Sequence, residues 1–251
     1  MLRSGKVGLA ALVALCVLAA APAALAMPLA KTDVIKTSGG DLQITAVGHA
    51  SIIFQYQGKV IHVDPWSKLA DYGKLPKADL VIITHHHRDH LDQAALQTIS
   101  KPTTVFLVSA MVAKKLGKGQ VLANGQGAKA LGLAIEAVPA YNLVHMRQPS
   151  QPFHVKGEGN GYVITFGDKR VYVAGDTENT PEMKALKNIE AAFLPMNLPY
   201  TMTQEMVADA AKAMKPRVLY PYHFDKSDLN KLKALLKDTP QVQVRLMTFS
   251  R

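Results

Sequence analysis

The apolar run Leu80–Ile83 leads directly into the segment Thr84–His90, which reads THHHRDH. The run predicts a buried strand, and the segment after it places four histidines and one aspartate within six positions. On an extended segment alternate side chains point the same way, so His85, His87 and Asp89 would share one side. The chain must therefore fold so that a buried strand ends in a concentrated set of ligand-type side chains.

The first 26 residues have the pattern of a secretory signal peptide. Arg3 and Lys6 precede an almost wholly apolar run, and the small-residue site Ala24–Ala26 closes it. A membrane anchor is the alternative, but it needs roughly 20 apolar residues, and Pro22 interrupts the run. We expect cleavage after Ala26, a periplasmic or secreted protein with no stable membrane insertion, and a single domain over residues 27–251.

Composition restricts both the site and its partners. The one cysteine, Cys16, lies in the signal peptide, so a metal site in the mature chain must use His, Asp and Glu side chains. Removal of Arg3 and Lys6 lowers the formal net charge from +10 to +8. The remaining basic residues are scattered, without an arginine-rich block or interleaved aromatics. We therefore expect a small-molecule substrate and no nucleic-acid partner, and the sequence predicts no oligomeric state.

The clustered imidazole and carboxylate groups favour metal binding. They are the ligands expected for zinc or a similar divalent ion where no thiolate is present. Five such groups in one segment exceed what one tetrahedral ion can take from it, so two ions are indicated. A solvated polar loop would explain any one of these histidines, but it explains the whole pattern after a buried strand poorly.

Strand-type and helix-type segments alternate along the chain. Strands are predicted at Leu42–Val47, Ser51–Tyr56, Lys59–Val63, Leu80–Thr84, Thr103–Val108, Leu133–Ala140, Gly161–Phe166, Arg170–Ala174, Ala191–Leu194, Arg217–Tyr220 and Val242–Met247. Helices are predicted at Asp92–Ile99, Ala110–Leu116, Gln204–Met214, with Thr203 as its cap, and Ser227–Leu236. The segment Asn142–Asn160 is the one long irregular loop. This alternation predicts a layered α/β protein with mixed sheets.

At the residue level, four motifs match one family. His85-x-His87-x-Asp89-His90 resembles the H-x-H-x-D-H signature of the metallo-β-lactamase superfamily. The other landmarks of that superfamily have counterparts in the same order: Gly48-His49-Ala50 with Val63-Asp64-Pro65, Ala174-Gly175-Asp176-Thr177, and Pro221-Tyr222-His223-Phe224. The resemblance spans residues 42–224. It implies a four-layer αββα sandwich of two mixed β-sheets flanked by helices.

Three further runs are similar to the lactonase-type branch, which includes ascorbate-6-phosphate lactonase-like proteins. They are Ala140-Tyr141-Asn142, Phe153-His154-Val155-Lys156-Gly157 and Gly161-Tyr162-Val163-Ile164. The stretch between the first two runs is longer here than in such relatives and contains His145. His145 is therefore kept as the alternative to His154 for the third histidine ligand.

The superfamily resemblance implies a ligand set for two ions. His85, His87 and His154 would hold the first ion, Asp89, His90 and His223 the second, and Asp176 would bridge both. Zinc is expected, with manganese or iron as alternatives. Asp64 can accept a hydrogen bond from a ligand histidine and so fix its tautomer. His49 has either a similar supporting role or a purely structural one.

The same resemblance implies an exported dinuclear metal-dependent hydrolase. A hydroxide held between the two ions would attack a small-molecule ester, lactone or phosphoester, and Asp89 would orient it or relay its proton. Histidine at position 87 favours hydrolysis, because a glutamate there would resemble the di-iron oxygen-reducing branch. A periplasmic β-lactamase, a nuclease or phosphodiesterase, and a non-catalytic metal-binding protein are the alternatives.

Overall fold

The computed structural model describes Met1 and residues 32–247. Apart from Met1, the predicted signal peptide, with Cys16 and the cleavage site after Ala26, lies outside these residues. Within the described part of the chain, no helix is both long and apolar enough to cross a membrane.

The first β-sheet has seven strands in sequence order. They are β1 (Thr32–Thr37), β2 (Gly40–Gly48), β3 (Ser51–Tyr56), β4 (Lys59–Val63), β5 (Leu80–Ile83), β6 (Val105–Val108) and β7 (Gln120–Val121). Strands β1 to β4 pair antiparallel, and β4 to β7 pair parallel. All four residues of β5 are buried, which explains why it is a continuous apolar run rather than an alternating one.

The second sheet repeats this division into an antiparallel half and a parallel half. The strands that follow in the chain are β8 (Gly127–Ala130), β9 (Leu133–Ala140), β10 (Met146–Gln148), β11 (Gln151–Pro152), β12 (Gly159–Phe166), β13 (Lys169–Val173), β14 (Ile189–Pro195), β15 (Val218–Tyr222) and β16 (Gln243–Val244). Of these, β10 and β11 form a separate two-stranded hairpin, and the other seven form the second sheet. The order across the sheet is β16-β15-β14-β13-β12-β9-β8. Strands β13 to β16 are parallel, and the other pairs are antiparallel.

Five helices cover the outer faces of the two sheets. They are α1 (Gln93–Ile99), α2 (Ala110–Leu116), α3 (Pro181–Ala185), α4 (Gln204–Met214) and α5 (Leu229–Leu235). Each begins after a residue whose side chain accepts a backbone N–H of the first turn, and the predicted cap Thr203 does so for α4.

Three apolar cores separate four layers. The core between the sheets combines side chains of the first sheet, such as Phe54, with those of the second, such as Phe193. Helices α1 and α2 pack on the outer face of the first sheet, and α3, α4 and α5 pack on that of the second. The predicted αββα sandwich of two mixed sheets is confirmed.

Both sheets direct the carboxyl ends of their parallel strands to one edge of the sandwich, where the loops after β5, β13 and β15 meet. Two backbone hydrogen bonds join the sheets there, because Asn160 N–H donates to Thr84 O at 2.9 Å and His223 N–H donates to His49 O at 2.8 Å. This edge is where an open α/β sheet places its ligands.

Some segments differ from their prediction. Strand β1 was missed because its sequence, TDVIKT, is largely polar and only Ile35 is buried. The predicted irregular loop Asn142–Asn160 contains the β10–β11 hairpin, whose residues are mostly exposed and so lack an apolar pattern. The predicted last strand, Val242–Met247, is reduced to Gln243–Val244, at the edge of the second sheet.

Candidate metal centre

The first group of ligand-type side chains consists of His85, His87, His154 and Asp176, whose ligand atoms all lie within 4.8 Å of one another. His87 Nδ1 is 3.0 Å from His85 Nε2 and 3.2 Å from His154 Nε2. His154 Nε2 is 3.3 Å from Asp176 Oδ2. Ligand atoms about 2.0–2.1 Å from a tetrahedral zinc are separated by about 3.3 Å. The spacing within this group therefore fits a single ion of that kind.

The second group consists of His49, Asp89, His90 and His223 and meets the same 4.8 Å limit. Asp89 Oδ2 lies 3.6 Å from both His90 Nε2 and His223 Nε2. It also lies 2.9 Å from His49 Nε2, which is hydrogen-bond distance. The His49 ring contacts the His223 ring, with 3.7 Å between their centroids. His49 is thus placed to orient Asp89, as a supporting residue would be.

Asp176 lies between the two groups. Its Oδ1 is 3.4 Å from His90 Nε2, and its Oδ2 is 3.5 Å from His223 Nε2. The preceding residue, Gly175, has φ +67°, and a Cβ there would come within 2.9 Å of Thr84 Cβ. Glycine is therefore required for the turn that brings Asp176 against the β5 loop.

Three residues that follow strand ends have backbone conformations in the left-handed region, namely His49, Asp64 and His223, with φ of +48°, +45° and +47°. This region is uncommon for residues other than glycine and costs on the order of 1–3 kcal/mol when the surroundings impose it. These turns bring His49 and His223 into the second group and Asp64 against His90. Strain of this kind is concentrated at functional sites.

The donor set fits divalent cations. Among the described residues, three buried atoms here have no hydrogen-bond partner: His90 Nε2, Asp176 Oδ1 and His223 Nε2. Buried polar atoms are costly to leave unpaired, and these three converge on one space. Burial opposes ionisation of Asp176, but His223 and His90 hold its carboxyl pKa well below the usual value. Two ions would satisfy all three atoms and neutralise the carboxylates.

His90 differs in its protonation from the histidines of the first group that precede it, His85 and His87. Burial and the neighbouring histidines lower the pKa of His85 well below its usual value and that of His87 to about 4. These two rings are neutral, which is the form that binds a metal. Burial opposes the charged form of His90 as well, but the carboxylates of Asp176 and Asp64 raise its pKa to about 10. Metal binding at His90 must therefore displace a proton.

Asp64 contacts the Nδ1 side of the His90 imidazole and so orients the ring with its Nε2 atom toward the site. The buried Asp64 carboxylate accepts hydrogen bonds from the Thr84 backbone N–H at 2.8 Å and hydroxyl at 2.6 Å. Its Oδ2 lies 2.8 Å from His90 Nδ1. When His90 Nδ1–H donates to Asp64, Nε2 is left facing the site. This is the contact expected of Asp64, and its effect on a bound metal stays a prediction.

His154 is oriented in a different way, by an amide. Asn142 Oδ1 lies 2.8 Å from His154 Nδ1 and accepts the His154 backbone N–H at 2.8 Å. The Asn142 amide N–H donates in turn to Glu178 Oε1 at 3.1 Å and to Tyr200 O at 2.9 Å. Asn142 belongs to the Ala140-Tyr141-Asn142 motif, from which no role was predicted for it. No role was predicted for Glu178 either, whose only sequence signal is its position two residues after Asp176.

The alternative ligand, His145, belongs to neither group. Its Nδ1 lies 2.6 Å from Glu178 Oε1, and its backbone N–H donates to the same oxygen at 2.7 Å. The other Glu178 oxygen accepts the backbone N–H groups of Leu143 and Val144, each at 2.7 Å. The structure brings His154, and not His145, to the other histidines, and it uses His145 to hold the loop.

Two adjoining cavities, of about 200 and 330 Å³, open onto the groups. Both are lined by His87, Arg147, Phe153, His154 and Asp176. The larger one is also lined by Asn197 and the half-exposed Tyr200. The site can therefore take a small molecule directly above the two groups.

Comparison with known proteins agrees with this site. A family model described as the β-lactamase superfamily domain matches residues 43–223, most of the chain. A UPF0173 metal-dependent hydrolase of Anaeromyxobacter, strain K, is 32% identical over 235 residues, covering 83% of this chain and 86% of the relative.

Two solved structures share the fold. A Parabacteroides distasonis protein assigned as a metal-dependent hydrolase is 46% identical with a TM-score of 0.82, covering 86% of this chain and 98% of that one. The metallo hydrolase Igni18 of Ignicoccus hospitalis is 29% identical with a TM-score of 0.70, covering 84% and 96%. The predicted resemblance is confirmed at the level of the superfamily, and the lactonase-type branch stays a prediction.

Proposed function

The chain belongs to the β-lactamase superfamily and is a metal-dependent hydrolase, and on that premise we propose that it uses a pair of divalent ions to hydrolyse a small-molecule ester, lactone or phosphoester. One observation carries the proposal. Asp176 lies 3.3–3.5 Å from histidine nitrogens of both groups, which is the position of a shared ligand. A single ion at the first group would leave two buried atoms of the second group, His90 Nε2 and His223 Nε2, without a partner.

The residues that would hold the ions are those of the predicted set: His85, His87 and His154 for the first, Asp89, His90 and His223 for the second, and Asp176 for both. Such ions, when bound, lower the pKa of a water molecule toward about 7 and polarise the oxygen of the substrate. His154 is assigned rather than His145 because its Nε2 faces the group, while the Nδ1 of His145 is bonded to Glu178.

Asp89 is the residue proposed to orient the attacking water and to transfer its proton. Burial opposes its ionisation, but the neighbouring imidazoles of His223 and His49 keep its pKa well below the usual value, so it is a carboxylate at neutral pH. It lines the larger cavity, where a substrate would lie. Asp89 can therefore orient an attacking water and relay its proton onward, and His49 positions Asp89 for this task.

The finer assignments rest on the donor types and on the sequence. Zinc is proposed as the native metal because the set consists of imidazoles with carboxylates, although manganese and iron take similar ligands. Export to a periplasm or to the medium is proposed from the signal-peptide pattern of residues 1–26. A lactone is the favoured substrate within the class because of the lactonase-type motifs.

Elemental analysis followed by a substrate panel on the same preparation tests the proposal. We expect about two metal equivalents in the wild type and at most one in His154→Ala or His223→Ala, with turnover lost in both. His145→Ala is the matched control and should keep both ions. Loss of an ion in His145→Ala but not in His154→Ala would reverse the assignment of the third histidine.

The panel separates the possible activities. It contains a lactone, an aryl ester, bis-p-nitrophenyl phosphate and nitrocefin. We expect turnover of the lactone or ester. A dominant rate on nitrocefin would indicate a β-lactamase, and one on the phosphodiester would indicate a phosphodiesterase. Metal-loaded protein that is inert on the whole panel would instead support a metal-binding protein without catalysis.

A further inference from the structure

The β10–β11 hairpin places a cation at the entrance of the site. Arg147, in β10, lines both cavities above the two ligand groups, and no other lysine or arginine of the described residues lines either one. The hairpin follows directly on the loop that Glu178 holds by accepting the Leu143, Val144 and His145 backbone N–H groups. Arg147 is thus only two residues beyond His145, whose backbone N–H is held by Glu178.

The guanidinium of Arg147 has no ionic partner within the described residues. It forms no ion pair or side-chain hydrogen bond there, and its Cζ lies 5.6 Å from the centre of the Phe153 ring. Phe153 in turn contacts Tyr200 edge to face, at 5.1 Å between centroids. The nearby Lys156 is different, since its ammonium is paired with Glu182 at 2.6 Å. The donors of Arg147 are therefore available, while the aromatic surface supports its charge.

An unpaired guanidinium in a binding cavity selects for oxyanions. Its planar fork of donors matches the two oxygens of a carboxylate or phosphate and binds them by parallel hydrogen bonds. Glu158 lines only the smaller cavity, where it disfavours an anion. The larger cavity has Asp89 and Asp176 as its only carboxylates, and both are proposed to face metal ions. An anionic group is therefore best placed in the larger cavity, between Arg147 and Tyr200.

We propose that Arg147 is a specificity-determining residue that binds an oxyanionic group of the substrate, a carboxylate or a phosphate, at a distance from the bond being hydrolysed. This inference rests on the proposed function of the same site. The scissile carbonyl or phosphoryl group would lie over the two ligand groups, while the second, anionic group contacts Arg147. The substrate is thus an anionic ester, lactone or phosphoester rather than a neutral one.

A matched pair of esters tests the inference. p-Nitrophenyl butyrate and p-nitrophenyl hemisuccinate differ in that a carboxylate replaces the terminal methyl group. We expect the wild type to prefer the hemisuccinate. Arg147→Met should lower kcat/KM for that ester by about 10- to 100-fold, mainly through KM, and that for butyrate by less than about twofold. Arg147→Lys should lie between the two enzymes, and metal content should be unchanged throughout.

Lys118→Met provides the matched control. Lys118 also packs a cation on an aromatic ring, 4.1 Å from the Phe106 centroid, but it lines neither cavity of the site. This variant should leave the preference between the two esters unchanged. An equal loss on both esters in Arg147→Met would show that Arg147 is merely structural, and no loss on either would also overturn the inference.

Binding of succinate and of inorganic phosphate to the metal-loaded protein, measured by calorimetry, gives a readout that needs no turnover. Arg147→Met should weaken at least one of the two oxyanions by about tenfold or more, and the anion affected identifies the group recognised. Equal binding of both by wild type and variant would overturn the role of Arg147. If the wild type hydrolysed neutral esters without preferring the hemisuccinate, the role of Arg147 would be overturned, but the proposed hydrolase function would stand.

Discussion

The two ligand groups of this site are built from similar side chains but are supported in opposite ways. In the second group, His90 is backed by the buried carboxylate of Asp64, and every member follows a strand end or belongs to the β5 loop. In the first group, His154 comes from the long segment before β12 and is backed by the neutral amide of Asn142. His90 is thus oriented by a charged partner, and His154 by a neutral amide within a loop.

This difference shows how one fold can make two unequal metal sites. An anionic partner raises the basicity of a ligand histidine, whereas an amide only fixes its orientation. The anionic partner also favours protonation of the ligand. Asp176 and Asp64 raise the pKa of His90, so a metal ion has to compete with a proton for its imidazole. We therefore expect the second group to depend more on electrostatics and the first group to depend more on the order of its loop.

The largest effect is expected where the two groups meet. Asp176→Ala should remove ligand atoms from both groups, lower the metal content below one equivalent, and reduce kcat/KM by more than the about 100-fold that loss of an outer partner can cause. Asp168→Ala, which changes an exposed carboxylate far from the site, is the control. Elemental analysis with kinetics checks this, and retention of two ions by Asp176→Ala would contradict a shared ligand.

Substitution of the residues that orient His90 and His154 should change the two metal affinities to different extents. Asp64→Asn removes the charge behind His90 and should weaken one of the two metal affinities by about 10- to 100-fold. Asn142→Ala removes only an amide and should weaken the other affinity by less. Stepwise competition with a chelator measures both constants for each variant. A single variant that weakens both sites equally would show that the groups do not differ as proposed.

In the metal-free protein, protonation should differ between His87 of the first group and His90 of the second. The folded pKa of His87, about 4, lies below its unfolded value of 6.5, so its contribution to stability is lost as pH falls from 6.5 to 4. The folded pKa of His90, about 10, lies above 6.5, so its contribution is complete below 6.5 and lost as pH rises to 10.

Melting temperatures of chelator-treated protein from pH 4 to 10 check this expectation. The Tm should fall on both sides of neutrality. His87→Gln should flatten the acid side, and His90→Gln the alkaline side. A Tm profile in which either variant changes the opposite side would contradict the division between the groups.

The smallest effect is expected from loosening the loop of the first group. Glu178→Gln keeps the shape of the side chain but removes the charge that accepts the hydrogen bonds of residues 142–145. Hydrogen exchange at the Leu143, Val144 and His145 amides should become faster, and kcat/KM should fall by about tenfold or less. The control is Glu190→Gln, whose carboxylate pairs with Arg217 away from the site. Unchanged exchange would show that Glu178 does not hold the loop.

Much of the fold was readable from local patterns. Strands β3, β4 and β9 and helices α2 and α4 have the predicted bounds, because their apolar residues form continuous or periodic runs that end at turn or cap residues. The polar β1 and the exposed β10–β11 hairpin lack such runs. They form because a neighbouring strand is available for backbone pairing, which no local pattern reports.

What the sequence alone determined here is which chemical groups are present and that each follows a strand: the histidines and aspartate after β5, Asp176 after β13 and His223 after β15. The chemical type of a side chain is a property of a single residue, so it can be read from the sequence alone. Only the tertiary structure shows that His154, and not His145, lies beside the other histidines, that Asn142 and Glu178 contact these two residues, and that Arg147 lines the cavities without an ion pair among the described residues. These outcomes depend on contacts between segments distant in the chain, such as His87 and His154, which are 67 positions apart, and such contacts are set by how the two sheets pack rather than by any neighbouring residue.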